Sequence, residues 1–296
     1  MEVIKPFVKW AGGKGSLISQ LTNFYPFELE NGTIKKYVEP FVGGGAVLID
    51  ILQKYDVEEA YAFDINKDLI NCYNVIKQDV ETLIEKLNEK EKEFLNIGLE
   101  NRQEYFYKIR SEYNSYKIED NLDVKRASEF IFLNRTCFNG LYRVNSKGEF
   151  NVPFNGKLSG RSFDPDQLRE LSGMLKNANI LNTDFEVACE NASEGDFVFF
   201  DPPYYNTFDT YQADGFSEED HRRLAKLFKE LTAKGVKCML TNSNEEFIKD
   251  LYKDFNIKII PVKRNINRDG THRTGEEIIG TNYEKAVYFT WLLLYN

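Results

Sequence analysis

The chain reads as an α/β protein whose doubly wound, mostly parallel sheet is interrupted by a mainly helical insertion. Three observations lead to that fold class. Short apolar strand candidates alternate with amphipathic helix candidates over the first part of the chain, up to Asp64. From Asp68 to about Asn177 the alternation stops and helical periodicity takes over. It resumes at Ala178-Asn179-Ile180-Leu181 and continues through the last third of the sequence.

The elements follow in order. Lys14 to Tyr25 has helical spacing, Lys36 to Phe41 is strand-like, and Ala46 to Tyr55 is again helical. Ala60-Tyr61-Ala62-Phe63-Asp64 is a second strand that ends on a carboxylate. Helices are expected at 68–77, 79–96, 102–114 and 123–134, then a Gly/Asn-rich hairpin, then a helix near 165–176. Further strands are expected at 196–200, 236–240, 257–263 and 277–281, with helices at 217–234 and 244–254 between them. The apolar stretch from Tyr288 to Leu294 fits a last strand or a packed terminal segment. The economical division is 1–67 and 177–296 as two parts of one catalytic domain, with 68–176 as an inserted recognition domain.

Composition narrows the class. With 296 residues, 42% hydrophobic, 17 Tyr and 23 Phe, the chain can bury a large core and is not disordered. Cys72, Cys137, Cys189 and Cys238 are too widely spaced for a metal cluster and read as buried free thiols. No signal peptide opens the chain and no apolar run approaches spanning length, so the expected compartment is the cytoplasm, away from membranes. The net charge of -9 argues against a protein that coats nucleic acid but allows a local basic groove. Candidates for such a groove are Arg126, Arg135, Arg143, Lys147, Lys157 and Arg161, and later Lys258, Lys263, Arg264, Arg268 and Arg273. Scattered surface cations would look the same. The mixed run Glu89-Lys90-Glu91-Lys92-Glu93 is most simply a solvated helix face.

Several motifs carry chemistry. Glu39-Pro40-Phe41-Val42-Gly43-Gly44-Gly45 joins the first strand to its helix, where glycines let backbone approach a ligand. It matches neither G-x-G-x-x-G nor a phosphate loop, and a tight strand–helix turn is the competing reading. Asp64, one βαβ step later, can accept both hydroxyls of a ribose or cap the next helix. Together they favour an adenosine-containing cofactor. Asp184-Phe185 offers a second acceptor and ring, and Lys9-Trp10-Ala11-Gly12-Gly13-Lys14 a loop that can cover a ligand.

The sharpest signal is Asp201-Pro202-Pro203-Tyr204 after the apolar run ending at Phe200. Its carboxylate can accept from an amino group, its prolines stiffen the turn, and its ring can stack on a base. An ordinary proline turn after a buried strand would also fit. Asn139-Gly140-Leu141-Tyr142-Arg143 leads through Asn145-Ser146-Lys147-Gly148 to Asn151-Val152-Pro153-Phe154, a turn between short alternating segments. Such a ribbon fits a DNA major groove, where arginine reads guanine. A structural hairpin is the alternative.

Taken in order, these segments resemble the Dam-type DNA adenine-N6 methyltransferases over nearly the whole chain. The resemblance implies the fold of S-adenosylmethionine-dependent methyltransferases, with transfer of a methyl group to adenine N6 in double-stranded DNA and no metal. It implies that the adenine is flipped out of the helix, with Asp201 and the Pro202 carbonyl accepting from N6 and Pro203 and Tyr204 completing the catalytic motif. Trp10, Lys14, Phe41, Gly43, Gly45, Asp64, Asp184 and Phe185 are the implied cofactor contacts.

For DNA the resemblance implies Lys9 at the first guanine and Arg143 at a guanine on the other side of the site. Leu141 and Pro153 match thymine-facing positions, Asn139 enters the stack, and Asn145, Lys157 and Arg161 complete the contacts. GATC is the leading target, with another site containing GAT as the alternative. The chain departs from the family at Phe154-Asn155-Gly156-Lys157, where relatives continue with Gly-Arg-Tyr, so a contact made by that arginine is missing or moved. A cognate restriction endonuclease and a monomer or weak dimer are also expected. The rivals are an RNA or protein-glutamine methyltransferase and a DNA-binding regulator with a vestigial methyltransferase fold.

Overall fold

A computed structural model describes residues 4–119, 122–156, 162–206, 215–263 and 274–284. Among these residues seven strands form one sheet in the order β3-β2-β1-β4-β5-β7-β6. They are β1 (Lys36–Glu39), β2 (Glu59–Asp64), β3 (Ala178–Asn182), β4 (Phe197–Phe200), β5 (Lys237–Ser243), β6 (Asn256–Lys263) and β7 (Thr274–Thr281). The first five run parallel, while β7 is antiparallel to both β5 and β6. The strand order reverses between β1 and β4, so the crevice where ligands bind in such sheets opens beyond their C-terminal ends. Those ends lead into Pro40–Gly45 and Asp201–Tyr204.

The sheet is covered on both faces, which explains its apolar strands. In β4, Phe197 and Phe199 join one core cluster while Val198 and Phe200 join the other, and all four are buried. The first cluster holds α1 (Ile18–Leu21), α2 (Phe27–Glu30), α3 (Ala46–Lys54) and the helices of the insertion. Those helices are α4 (Lys67–Gln78), α5 (Val80–Asn96), α6 (Arg102–Asn114), α7 (Val124–Thr136) and α8 (Pro165–Met174). The second cluster holds α9 (Phe185–Ala188), α10 (Glu218–Ala233) and α11 (Glu246–Leu251).

Local chemistry sets the helix ends. Asn66 accepts from the Leu69 amide at 3.0 Å to start α4, and Asp123 accepts from that of Arg126 at 2.8 Å to start α7. Asp164 followed by Pro165 starts α8, and a capping box between Ser217 and Asp220 starts α10. The expected helix from Lys14 to Tyr25 is instead a 3-10 turn, the short α1 and a second 3-10 turn. Thr22 and Asn23 side chains both donate to the Ser19 carbonyl, and Pro26 cannot extend a helix. The helix expected over 244–254 is only one and a half turns, and the first strand stops at Glu39, ahead of Pro40.

The expected β-hairpin is reduced to two isolated bridges, Val144–Phe150 and Cys137–Phe154. Backbone bonds still join Asn145 to Glu149 (2.9 Å) and Asn151 to Arg143 (3.0 Å) across the turn, and side chains add to them. Asn114 on α6 accepts from the Phe150 amide and donates to its carbonyl, each at 2.9 Å. Lys117 donates to the Gly148 carbonyl at 2.6 Å, and Arg110 to that of Val152 at 3.3 Å. The ribbon is therefore stapled to α6 and to the turn that follows it.

Of the candidate groove cations, one is buried and another is half-buried with its guanidinium engaged. Arg126 is 2% exposed, paired with Asp68 and donating to the Tyr113 and Tyr116 carbonyls at 2.8 and 2.9 Å. Arg135 donates to the carbonyls of Phe7 and Pro6 at 2.8 and 3.0 Å. Both guanidinium groups are thus engaged by acceptors within the protein. All four cysteines are buried and free, and burial pushes their thiol pKa values up, Cys137 to about 12. Among the described residues no helix is long and apolar enough to cross a membrane. Lys157, Arg161, Arg264, Arg268, Arg273 and the 288–294 stretch lie outside the described residues.

Candidate active site

A cleft of about 850 Å³ opens at the strand switch point. The Gly43–Gly45 turn forms one wall, and its backbone admits no larger residue. Gly45 has φ +76°, and a Cβ there would lie 2.3 Å from the Tyr73 hydroxyl oxygen. Tyr73, on α4, donates to the Gly43 carbonyl at 2.9 Å and so holds the turn. A Cβ at Gly43 would lie 2.9 Å from the Trp10 ring, which also lines the cleft. Trp10 itself stacks on Tyr142, with centroids 5.6 Å apart, and on Phe130 at 6.4 Å.

Asp64, at the end of β2, accepts from the Gly43 amide at 3.0 Å through one oxygen and from the Asn66 amide at 2.8 Å through the other. Burial raises its pKa to about 6 despite these two hydrogen bonds, which act to lower it. Phe41 and Phe185 stack with centroids 5.5 Å apart, and Phe216 packs against both. Asp184 caps α9 and is paired with Arg223 at 3.1 Å.

At the other end, β4 delivers Asp201. Its Oδ1 accepts from the Thr241 hydroxyl at 2.7 Å and meets Lys14 Nζ at 2.7 Å. Tyr204 donates to Glu277 at 2.7 Å, which ties the motif to β7. Asn242 and Ser243, on β5, hold Tyr205 through its amide (3.3 Å) and carbonyl (3.0 Å). Glu39 is buried beneath the cleft, and desolvation drives its carboxyl well above the ordinary range, with the Tyr37 hydroxyl donating to it at 2.7 Å. Pro202 is buried, and Pro203 lines the cleft.

The fragment before β1 and the insertion meet on one buried asparagine. Asn134 accepts from the Lys9 amide at 2.8 Å and donates to the Lys9 carbonyl at 2.8 Å and to the Gly140 carbonyl at 3.0 Å. The Lys9 stem lies against Gly140, whose φ is +65°. This joint leaves Lys9, Phe138 and Asn139 exposed together, Asn139 with a positive φ of 56°. The Pro153 carbonyl accepts from the Phe138 amide at 2.8 Å, and Leu141 is half-buried next to them. Arg143 is exposed, its Nε donating to Asn151 at 2.6 Å. Asn145 is committed to its own turn, accepting from the Lys147 and Glu149 amides and donating to the Glu149 carboxylate.

The family described as D12 class N6 adenine-specific DNA methyltransferase matches the chain over residues 10–266. The chain belongs to this family. It is an enzyme that methylates adenine N6 in DNA. The methyltransferase is 48% identical over 276 residues to the type II methyltransferase M.MjaIII of Methanocaldococcus jannaschii, covering 91% of this chain and 95% of that one. It is 38% identical to the type II methyltransferase M1.LlaDCHI of Lactococcus lactis subsp. cremoris, covering 95% and 96%. The DNA adenine methylase of Haemophilus influenzae is 32% identical, covering 91% and 90%.

The structure gathers Trp10, Lys14, Phe41, Gly43, Gly45, Asp64, Asp184, Phe185 and Asp201–Tyr204 of this methyltransferase around one cleft. Thr241, Glu277, Phe216, Tyr73 and Asn134 were not among the candidate residues. Thr241 opens the polar run Thr241–Asn244 at the end of an apolar strand, a local signal; nothing local marks the others, because their partners are distant in sequence.

Proposed function

We propose that the chain transfers a methyl group from S-adenosylmethionine to N6 of an adenine flipped out of duplex DNA, with GATC as the target. The observation that carries this reading is Asp201 facing the same cleft as the glycine turn and Asp64. The cleft suits the donor molecule. Its glycine turn lines the cleft with backbone, its stacked phenylalanines suit a purine face, and Asp64 suits a ribose. When bound, S-adenosylmethionine supplies an electrophilic methyl group on a sulfonium.

The chain's own residues do the rest. Asp201 and the Pro202 carbonyl accept the two N6 hydrogens, which draws the amino group out of conjugation and exposes its lone pair. Tyr204 stacks on the extruded ring, and its hydrogen bond to Glu277 keeps the ring from swinging. Lys9, Asn139, Leu141, Arg143 and Pro153 read the surrounding bases, with the exposed Phe138 ring beside them and Asn145 shaping the turn that presents them. Lys157 and Arg161 add cationic contacts to the DNA.

The reading of a restriction partner draws on the two type II relatives. It expects a cognate endonuclease that cuts the same site. Incubation with S-adenosylmethionine and mixed-sequence duplex DNA, followed by mapping of methylated adenines, tests the donor and target together. Methylation confined to GATC is expected; methylation at a different consensus overturns the target, and none with this donor overturns the donor.

A further inference from the structure

Of the two donors on Asp201, one is fixed by the sheet. Thr241 follows Leu240, which pairs with Phe200 in the parallel register, and so lies directly beside Asp201. On its other side it pairs with Ile279 of β7, and it is 0% exposed. Its branched side chain allows few χ1 settings, so the backbone sets the direction of the hydroxyl. That hydroxyl donates to Asp201 Oδ1 at 2.7 Å. Lys14 Nζ meets the same oxygen at 2.7 Å, but on a flexible stem from the proposed cover of the donor molecule. Oδ2 has no hydrogen-bond partner among the described residues, and Asp201 lines the cleft. A carboxylate on a single methylene turns in a broad, roughly two-fold well, so a donor fixed on one oxygen decides which oxygen faces outward.

We infer that Thr241 is a positioning residue for methyl transfer, holding Oδ1 of Asp201 so that Oδ2 is the acceptor presented to the adenine amino group; this rests on Asp201 being the N6 acceptor. Lys14 keeps its proposed place among the contacts to the donor molecule, and Thr241 holds the acid whichever way that ammonium turns. Tyr204 needs less help. Its hydroxyl also neighbours Thr241, but it donates to Glu277 at 2.7 Å, so the ring has an anchor of its own. Loss of the Thr241 hydroxyl therefore reaches the grip on N6 and spares the stacking of the base.

The test compares Thr241→Val and Thr241→Ser with the unaltered enzyme on duplex DNA. Thr241→Val keeps the shape and loses the donor, and kcat is expected to fall about 10- to 100-fold, up to the scale of a misplacement of about 1 Å at a reacting centre. Thr241→Ser, which still donates, is expected to recover most of that loss. Binding of S-adenosylhomocysteine, measured by calorimetry, is expected to be unchanged in both. A duplex with 2-aminopurine in place of the target adenine separates flipping from chemistry, because that base has no N6 amino group for Asp201 to hold. Its fluorescence rise on binding Thr241→Val is expected to match that on binding the unaltered enzyme. Equal losses of kcat, S-adenosylhomocysteine binding and fluorescence would make Thr241 a merely structural residue, and Thr241→Ser as slow as Thr241→Val would take the hydroxyl out of the account. Either result overturns the inference, as does a normal kcat in Thr241→Val. If Thr241→Val does not fold, Thr241→Cys, of similar size and with only a weak donor, is read the same way. Asp201→Ala separates the underlying reading: full activity there removes Asp201 from the chemistry, whereas an inactive Asp201→Ala beside a fully active Thr241→Val overturns only the role of Thr241.

Discussion

Asp64 turns a local burial effect into a pH dependence. Burial raises its pKa to about 6, and in the proposed role of ribose acceptor the ionised form is the stronger partner for two hydroxyls. Below pH 6 the protonated fraction grows, and that proton must be lost for the full pairing. Affinity for S-adenosylmethionine should therefore weaken as pH falls below about 6 and level off above it. Calorimetry across pH 5 to 8 checks this, with Asp64→Asn giving weaker binding and a flat profile. Arg143 is the second test at this scale. Asn151 accepts from its Nε at 2.6 Å and, more weakly, from Nη2 at 3.4 Å, which fixes the plane of an exposed guanidinium. Arg143→Ala should cost about 1–3 kcal/mol of discrimination at one guanine, read as relaxed methylation at that position; an unchanged consensus removes Arg143 from base reading. Asp201, Asp64 and the glycine turn were legible because each carries its chemistry within a few consecutive residues. Lys14 was legible as a site residue, but its partner was not, since the pairing exists only once β4 has been laid beside β1.

At the level of elements, the ribbon depends on α6. With two isolated bridges and a few backbone bonds in place of a full ladder, its backbone is held in addition by Asn114, Lys117 and Arg110. Asn114→Ala leaves the Phe150 amide and carbonyl without their protein partners, a penalty of about 1–3 kcal/mol for the buried pair. DNA affinity should fall while S-adenosylmethionine affinity holds, as gel-shift and calorimetric titrations would show; equal loss of both would mean that α6 supports the cleft as well. Helix starts in the insertion were readable from sequence because caps such as Asn66, Asp123 and Asp164 act on neighbouring amides. The ribbon's true support was not, since alternating residues suggest a ladder whether the partner is another strand or a helix side chain. The same limit hid the engagement of Arg126 and Arg135, whose acceptors come from other elements.

Across the whole molecule, one core cluster runs from the sheet through α3 into α4, α5, α6, α7 and α8. Because α4 packs on β2 and β3 as well as on α7, the insertion has no separate apolar interior among the described residues. Unfolding should then give a single calorimetric peak, shifted upward as a unit by S-adenosylhomocysteine, by about 2.7 kcal/mol at a hundredfold excess over its dissociation constant. A second peak, unmoved by that ligand, would instead mark the insertion as an independent unit. Strand order was the least legible feature at this scale, since periodicity identifies strands without saying which become neighbours. The four enclosed thiols have a practical consequence of another kind. A maleimide dye needs an accessible thiolate, which none of them offers. Ser146→Cys, at the exposed tip of the ribbon, would place one reactive handle on an otherwise silent background. A fluorophore there would report the arrival and departure of DNA in real time, with every native cysteine left in place.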